Sequence, residues 1–306
     1  MSRYVVSLGG NALGNNAEEQ KELLKGVAKP IVELIKNGHE VIIVHGNGPQ
    51  VGMINLAFTD AKSVPDMPFP ECGAMSQGYI GFHIQNAIDN ELKAQNINRS
   101  VVTVVTQVLV DKNDPLFQSP SKPVGSFYSE AKAKEIADKM GYVMKEDSGR
   151  GWRRVVPSPL PIDIIEKDSI VELVSNGHVV ICAGGGGIPI IRHEDGKLEG
   201  VAAVIDKDYA SAKVAELVDA DYLVILTAVD NAYIDFKKPT EKKLEKVAVS
   251  EIRKYMDEGH FAKGSMYPKV NACLMFLGKK PGKTAIISSL AAAKDAFLEK
   301  VGTIIK

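Results

Sequence analysis

Three separate apolar segments of the sequence each end in a cluster of glycines, and this repeated pattern constrains the fold more than any other feature. The segments cover residues 4–8, 41–44 and 179–182. A short, continuously apolar run is typical of a strand buried on both faces of a parallel sheet. The clusters that follow these segments are Gly9-Gly10-Asn11, Gly46-Asn47-Gly48 and Gly184, Gly185, Gly186 and Gly187.

Segments with helical spacing of apolar residues separate these predicted strands. Residues 18–36, 77–95, 164–176 and 206–218 are the clearest of them. Strands that alternate with helices predict a mostly parallel sheet with helices on both faces. The length of 306 residues allows one large domain or two lobes.

The alternation is interrupted between residues 114 and 161. This stretch contains several prolines, the only tryptophan (Trp152) and a weak hydrophobic pattern with short strands. We therefore predict that 114–161 forms a small inserted subdomain, or lid, joined to the main domain through proline-rich segments.

The charge balance excludes some classes of function. The chain has 37 Lys and Arg against 38 Asp and Glu, a formal net charge of −1, which argues against a general nucleic-acid binder. The three cysteines are far apart and indicate a reducing compartment. No stretch approaches the roughly 18 apolar residues of a membrane span. These features predict a cytoplasmic protein with no nucleic-acid or membrane partner.

The glycine clusters are candidates for an anion site. Ligands of open α/β sheets bind beyond the carboxyl ends of the strands, where glycine lets backbone N–H groups approach an anion closely. Any single cluster is equally consistent with tight chain reversal. Three clusters at equivalent strand ends favour one shared site for a polyanion.

A few charged residues stand in unusual places. Lys207 and Asp208 open a helix for which Asp206 is the predicted N-cap, and the helix dipole disfavours a lysine there. Spacing alone leaves a functional role and a capping role open. Lys122, between two prolines, and Lys269, near a helix start, are each either functional or solvated. The histidines show no metal-binding spacing, and no metal site is predicted.

Several motifs resemble the carbamate kinases of the amino-acid kinase family, along nearly the whole chain. Those most specific to the carbamate kinases lie inside the predicted insertion, in Lys122-Pro123-Val124-Gly125 and around Trp152. The others are residues 8–13, 45–52, 105–107, 110–115, 183–189, 204–208 and 264–269.

The resemblance implies a fold, a reaction and an assembly. The fold would be a three-layer αβα sandwich with a mainly parallel central sheet. The reaction would be carbamoyl phosphate + ADP ⇌ carbamate + ATP with Mg²⁺, in fermentative catabolism of arginine or related compounds. Mg²⁺ would be bound mainly through the nucleotide, and the chain would form a homodimer.

The resemblance also implies residue roles. The carbamoyl and transferred phosphoryl groups would be held by Gly9, Gly10, Asn11, Gly46, Asn47 and Gly48. Catalytic roles fall to Lys122, Lys207, Asp208 and Lys269, where Asp208 orients Lys207 and Lys269. The nucleotide would contact Gly184, Gly185, Gly186, Gly187, Thr227, Asp230, Tyr233, Met266 and Pro268.

One position separates the carbamate kinases from other members of the family. Ser7 stands in the first strand where most other amino-acid kinases have a catalytic lysine, and Lys207 would supply that charge from elsewhere in the chain. Two alternatives remain. The chain could be a kinase of another small carboxylate, or a nucleotide-binding or anion-storage protein without turnover.

Overall fold

A computed structural model describes residues 1–10, 13–14, 16–61, 63–147 and 149–306. Strands are numbered along the chain as β1 (Arg3–Leu8), β2 (Glu40–His45), β3 (Val101–Thr103), β4 (Gln107–Leu109), β5 (Lys122–Tyr128), β6 (Met144–Glu146), β7 (Trp152–Val156), β8 (Asp163–Ile164), β9 (Val179–Ile181), β10 (Ile188–Arg192), β11 (Leu198–Gly200), β12 (Tyr222–Thr227), β13 (Tyr233–Ile234), β14 (Lys242–Lys243), β15 (Lys246–Val247), β16 (Thr284–Ser289) and β17 (Thr303–Ile305). The helices are α1 (Ala17–Lys36), α2 (Gly48–Asp60), α3 (Phe69–Ala94), α4 (Glu130–Met140), α5 (Lys167–Ser175), α6 (Lys207–Leu217), α7 (Val249–Asp257), α8 (Met266–Leu277) and α9 (Ala293–Phe297). Among these described segments, no helix is both long and apolar enough to cross a membrane.

Eight strands form the central sheet in the order β15-β17-β16-β12-β1-β2-β9-β3. All neighbouring pairs in this order are parallel except β16 and β17, which are antiparallel. The predicted mainly parallel sheet is therefore confirmed. A second sheet has the order β11-β10-β4-β8, and in it β10 and β11 form an antiparallel hairpin around Asp195-Gly196.

Successive residues of the central strands pack into two different hydrophobic layers. In β1, the side chains of Tyr4, Val6 and Leu8 join a cluster with α1, α3 and α9, whereas Val5 joins a cluster with α5, α6 and α8. This alternation is the period of two expected of a strand. With helices against both faces, the molecule is the predicted αβα sandwich.

Two helices begin three or more residues away from the predicted start. α3 begins at Phe69 instead of residue 77, since three glycines between 73 and 81 dilute its apolar spacing. α5 begins at Lys167 instead of residue 164, because Ile164 pairs with Val108 in the second sheet. In both cases the end of the helix agrees with the prediction to within one residue.

The predicted insertion contains a small sheet of its own. β5, β7 and β6 form an antiparallel sheet in that order, and α4 packs against it. β5 also approaches α2 closely, because a β carbon on Gly52 would lie 3.0 Å from the Gly125 nitrogen. That residues 114–161 act as a lid remains a prediction.

Candidate active site

The three glycine clusters lie side by side at one edge of the central sheet. They follow β1, β2 and β9, which are adjacent and parallel, so that their carboxyl ends meet there. The N–H groups of Gly9 and Gly46 continue the sheet ladder by donating to Leu226 O and Leu8 O, each at 3.0 Å. Anion-binding amides must therefore come from later residues, such as Gly48 at the first turn of α2.

Not every residue predicted for the first cluster can be placed. Asn11 lies outside the described residues. Gly10 is exposed at the end of β1, with no atom within 4 Å of a β carbon built on it. Gly10 therefore leaves open space next to the sheet edge.

The third cluster, residues 184–187, is a tight turn in which close packing requires glycine. Gly186 has φ +94°, and a β carbon there would lie 2.1 Å from the carbonyl oxygen of Ile205. One on Gly185 would lie 2.1 Å from Asn47 Nδ2. The turn therefore contacts both the second cluster and the chain that leads into α6.

Two buried polar side chains that were not assigned a role from the sequence hold this turn. The amide of Gln77 accepts from Thr106 N at 2.7 Å and donates to Thr106 O at 3.1 Å. The Thr106 hydroxyl accepts from Ala183 N at 2.9 Å, directly before the turn. The sequence offered two signals for this support, a glutamine within α3 and the motif that contains Thr106. Neither signal shows which residues form the hydrogen bonds.

Lys207, Asp208 and Lys269 form one buried cluster, which we call the lysine cluster. Lys207 Nζ donates to Asp208 Oδ1 and, at 2.9 Å, to the hydroxyl of Ser7. Lys269 Nζ donates to Asp208 Oδ2 at 2.9 Å. The α6 lysine therefore lies against the β1 position that holds Ser7. Two ammonium groups around one carboxylate leave one positive charge in excess.

Burial and charge set the ionisation of this cluster. Asp208 is 2% exposed, and this burial raises the pKa of its carboxyl group. The nearby charges of Lys207 and Lys269 have the larger effect and hold the pKa of Asp208 well below its ordinary value. Burial lowers the pKa of Lys207, while Asp208 opposes the shift. The Asp208 carboxylate thus orients both ammonium groups.

Lys122 reaches the start of α6 from the inserted sheet. Its Nζ forms an ion pair with Asp206 Oδ2 at 2.7 Å. Asp206 is also the helix N-cap, since its Oδ1 accepts from Asp208 N at 3.0 Å. The structure therefore brings all four predicted catalytic residues to the first turns of α6 and α8 and the start of β5.

His45 ends β2 and packs against the third cluster, since a β carbon on Gly184 would lie 2.4 Å from its Nε2. It is 1% exposed, and its Nδ1 lies 2.8 Å from Gly46 O, so that Nδ1 must carry the proton. Burial lowers the pKa of His45 to about 4. His45 is therefore neutral near pH 7 and adds no charge to the site.

A chain of buried polar side chains supports the segment after the first cluster. His83 Nδ1 lies 2.7 Å from Gln20 Oε1, and Gln20 Nε2 donates to Leu13 O at 2.9 Å. Gln50, on α2, donates to Gly14 O at 3.0 Å. The chain links α1, α2 and α3 to the segment that follows β1.

A cavity of about 580 Å³ adjoins the lysine cluster. Three of the predicted nucleotide residues, Thr227, Tyr233 and Met266, line it, and so does Lys269. Asp230 lines a different cavity, beside β14 and β15, and Pro268 is buried in α8. A cavity of this volume is large enough for a nucleoside.

No cluster of three or more His, Cys, Asp or Glu suited to a metal ion occurs in the part of the chain that the structure describes. The charged groups at the site are mainly lysines. The site is therefore suited to an anionic ligand.

A family model confirms the class of protein. The model of the amino acid kinase family matches residues 2–288. The chain therefore belongs to the amino acid kinase family.

Particular members of that family are similar over the whole chain. The carbamate kinase of Staphylococcus haemolyticus is 52% identical over 309 residues, covering 100% of both chains. The carbamate kinase-like protein YqeA of Escherichia coli is 52% identical over 308 residues, covering 99% of this chain and 98% of YqeA. Among solved structures, the carbamate kinase of Giardia lamblia bound to AMP-PNP superposes with a TM-score of 0.93 at 46% identity, covering 99% of this chain and 98% of that one.

Proposed function

We propose that this chain is a carbamate kinase, which catalyses carbamoyl phosphate + ADP ⇌ carbamate + ATP. The observation that carries the proposal is the buried lysine cluster at the strand ends, with Lys207 against Ser7 and Lys269 at the mouth of a nucleoside-sized cavity. The full-length similarity to proteins named carbamate kinase supports the same substrate.

The geometry suits phosphoryl transfer between two bound anions. Carbamate is already an anion, so its attacking oxygen needs no general base, and the neutral, buried His45 need not act as one. Catalysis then depends on positioning and on stabilising the charge of the transferring phosphoryl group. Lys207 and Lys269 would supply that charge, with at least one N–H each left free by Ser7 and Asp208.

The nucleotide would extend from the 580 Å³ cavity, which would hold its nucleoside, to the lysine cluster. Thr227, Tyr233 and Met266 would contact the nucleoside, and Lys269 would face the phosphates. The third glycine cluster would lie on the nucleotide side of the phosphates and the first two around the carbamoyl group. Mg²⁺ would be held mainly by phosphate oxygens and would neutralise part of their charge.

We further propose the cellular setting and the assembly that the family resemblance implies. The chain would act in the cytoplasm in fermentative catabolism of arginine or related compounds, running toward ATP. It would form a homodimer. Exposed apolar side chains on α3, where Phe82 is 60% exposed and Met75 40%, support a partner on that helix.

A coupled assay of ATP formation tests the activity. Purified protein with carbamoyl phosphate and Mg-ADP is expected to form ATP. The same protein is also tested for ATP-dependent phosphorylation of acetylglutamate and of aspartate, which would indicate a kinase of another small carboxylate.

Lys207→Ala should lower kcat by about 10²-fold or more. Lys213→Ala is the matched control, because Lys213 lies on the same helix but pairs with Glu216. Nucleotide binding without ATP formation would overturn the proposal.

A further inference from the structure

A further, smaller cavity lies between α2 and the inserted sheet. Its volume is about 210 Å³, and its lining comes from α2, β5, α4, β6 with the preceding Tyr142, and β7. None of the residues in this lining belongs to the glycine clusters, the lysine cluster or the nucleoside cavity. It is smaller than the 300–1,000 Å³ typical of sites for drug-sized ligands. The cavity is therefore separate from the candidate active site and fits only a small ligand.

Arg154 is the most unusual side chain in this cavity. Its guanidinium carbon lies 3.6 Å from the ring centroid of Tyr142 and 5.4 Å from that of Phe69. Burial lowers the pKa of Arg154, but an arginine remains charged in proteins. Among the described residues, no carboxylate pairs with it and no acceptor receives a hydrogen bond from it. Arg154 is thus a fixed cation whose five N–H donors have no acceptor within the described part of the chain.

The rest of the lining leaves positive charge in excess. Lys132 and Glu135 neutralise each other in an ion pair of 2.7 Å. The remaining charged residues of the lining are Arg154 and Lys139 against Asp60. Two cations against one carboxylate favour an anionic ligand.

We propose that this cavity binds a small oxyanion through the guanidinium of Arg154. The planar fork of an arginine matches the two oxygens of a carboxylate or a phosphate, and stacking on rings holds the fork in one orientation. Both ligand types share this chemistry. The ligand would bridge the inserted sheet and α2.

Binding there would act on Lys122 through the sheet. Arg154 pairs with Val124 across the antiparallel β5–β7 ladder, and Lys122 lies two residues before Val124 in β5. A ligand that ties β7 to α2 would therefore favour one position of Lys122. The cavity is thus an effector site, and this effect on turnover, though not the binding itself, rests on the proposed kinase activity.

The single tryptophan provides the measurement. Trp152 is in β7, two residues from Arg154, so its fluorescence reports on this sheet. The full chain is titrated with inorganic phosphate and, in a separate arm, with succinate. The arm that saturates at the lower concentration identifies the ligand class. Arg154→Met should weaken that binding by roughly 10- to 100-fold, as expected for hydrogen bonds to a charged group.

Three further variants make the result specific. Arg150→Met is the matched control, since Arg150 is in the same subdomain but pairs with Asp147 at 2.9 Å, and it should bind as the wild type does. Lys207→Ala should also retain the signal, because it alters only the active site. Arg154→Lys keeps the charge without the fork and should bind weakly. If Arg154→Met does not fold, the binding of Arg154→Lys is compared with that of the wild type instead.

Several results would overturn the inference. They are a wild-type titration that does not saturate in either arm, equal affinity in the Arg154 variants and the wild type, and loss of the signal in Lys207→Ala. A turnover measurement with and without the anion then tests the effector role. Binding that leaves ATP formation by the active enzyme unchanged would contradict that role alone. An enzyme that makes no ATP at all would instead contradict the proposed function.

Discussion

Lys207 combines burial with a tightly held carboxylate partner. Its side chain is 13% exposed, and burial lowers the pKa of its ammonium group, while Asp208 and Asp206 oppose the shift. The net direction is downward. A Lys207 proton is therefore lost at a lower pH than that of an exposed lysine, and with it the charge that would stabilise the transferring phosphoryl group.

The first prediction concerns the alkaline limb of the pH profile. Because the pKa of Lys207 is lowered in the free enzyme, kcat/KM should fall as pH rises, at a pH below the ordinary lysine value of 10.5. Lys207→Arg should lower kcat/KM but move that limb to higher pH, since arginine stays protonated. The measurement is kcat/KM against pH, because kcat/KM reports on the groups of the free enzyme. An alkaline limb at the same pH in both proteins would show that a different group titrates.

The individual residues also show what a sequence can predict. Lys207, Asp208 and Lys269 were predicted, because a lysine at a helix start is unusual and the family motifs contain all three. Gln77 and Thr106 were missed as supports of the third glycine cluster. Their function lies in hydrogen bonds between α3, the segment before β4 and the end of β9, and such pairing leaves no periodic signal in any one segment.

At the scale of secondary structure elements, the third glycine cluster links two parts of the site. Gly186 lies directly against the Ile205 carbonyl, one residue before the N-cap Asp206. Any side chain at residue 186 must therefore move the backbone that leads into α6. Because α6 begins with Lys207, such a movement displaces the lysine cluster.

The second prediction is the effect of Gly186→Ala. Its φ of +94° and the 2.1 Å approach to Ile205 O should destabilise the fold by about 2 kcal/mol or more. A displaced lysine should also lower kcat/KM by roughly 10- to 100-fold. The measurements are urea unfolding and steady-state ATP formation.

Gly26→Ala is the control for this prediction. Gly26 is exposed in α1, and no atom lies within 4 Å of its added β carbon. This variant should be more stable by about 0.5–1 kcal/mol and fully active. Equal stability of the two variants would contradict the packing role assigned to Gly186.

Elements with a clear periodicity were predicted well, and elements without one were not. The central strands were predicted correctly because a continuous apolar run bounded by glycines is typical of a buried strand. The first two turns of α3 were missed, since glycines and polar residues obscure its apolar face. The antiparallel strand β17 and the pairing of Ile164 in the second sheet depend on distant partners, which local sequence patterns do not show.

At the scale of the whole molecule, one ion pair joins the inserted sheet to the lysine cluster. Lys122 donates to Asp206 at 2.7 Å across 84 residues of sequence. The lysine side chain is 38% exposed, so the pair contributes only about 1 kcal/mol or less to stability. Such a weak contact can be exchanged for a phosphoryl group when substrate binds.

The last prediction separates a catalytic Lys122 from one that only holds the subdomain in place. Lys122→Ala should lower kcat by about 10²-fold, with little change in the free energy of unfolding, because the lost charge acts mainly in the transition state. Asp206→Asn removes the same ion pair, yet asparagine still caps α6. That variant should keep most of its activity. Lys134→Ala, which removes an exposed lysine of α4 outside the effector cavity, is the control for charge in the subdomain. If Lys122→Ala and Asp206→Asn lost the same share of kcat, the ion pair itself would be the functional unit, and Lys122 would have no separate role at the phosphoryl group.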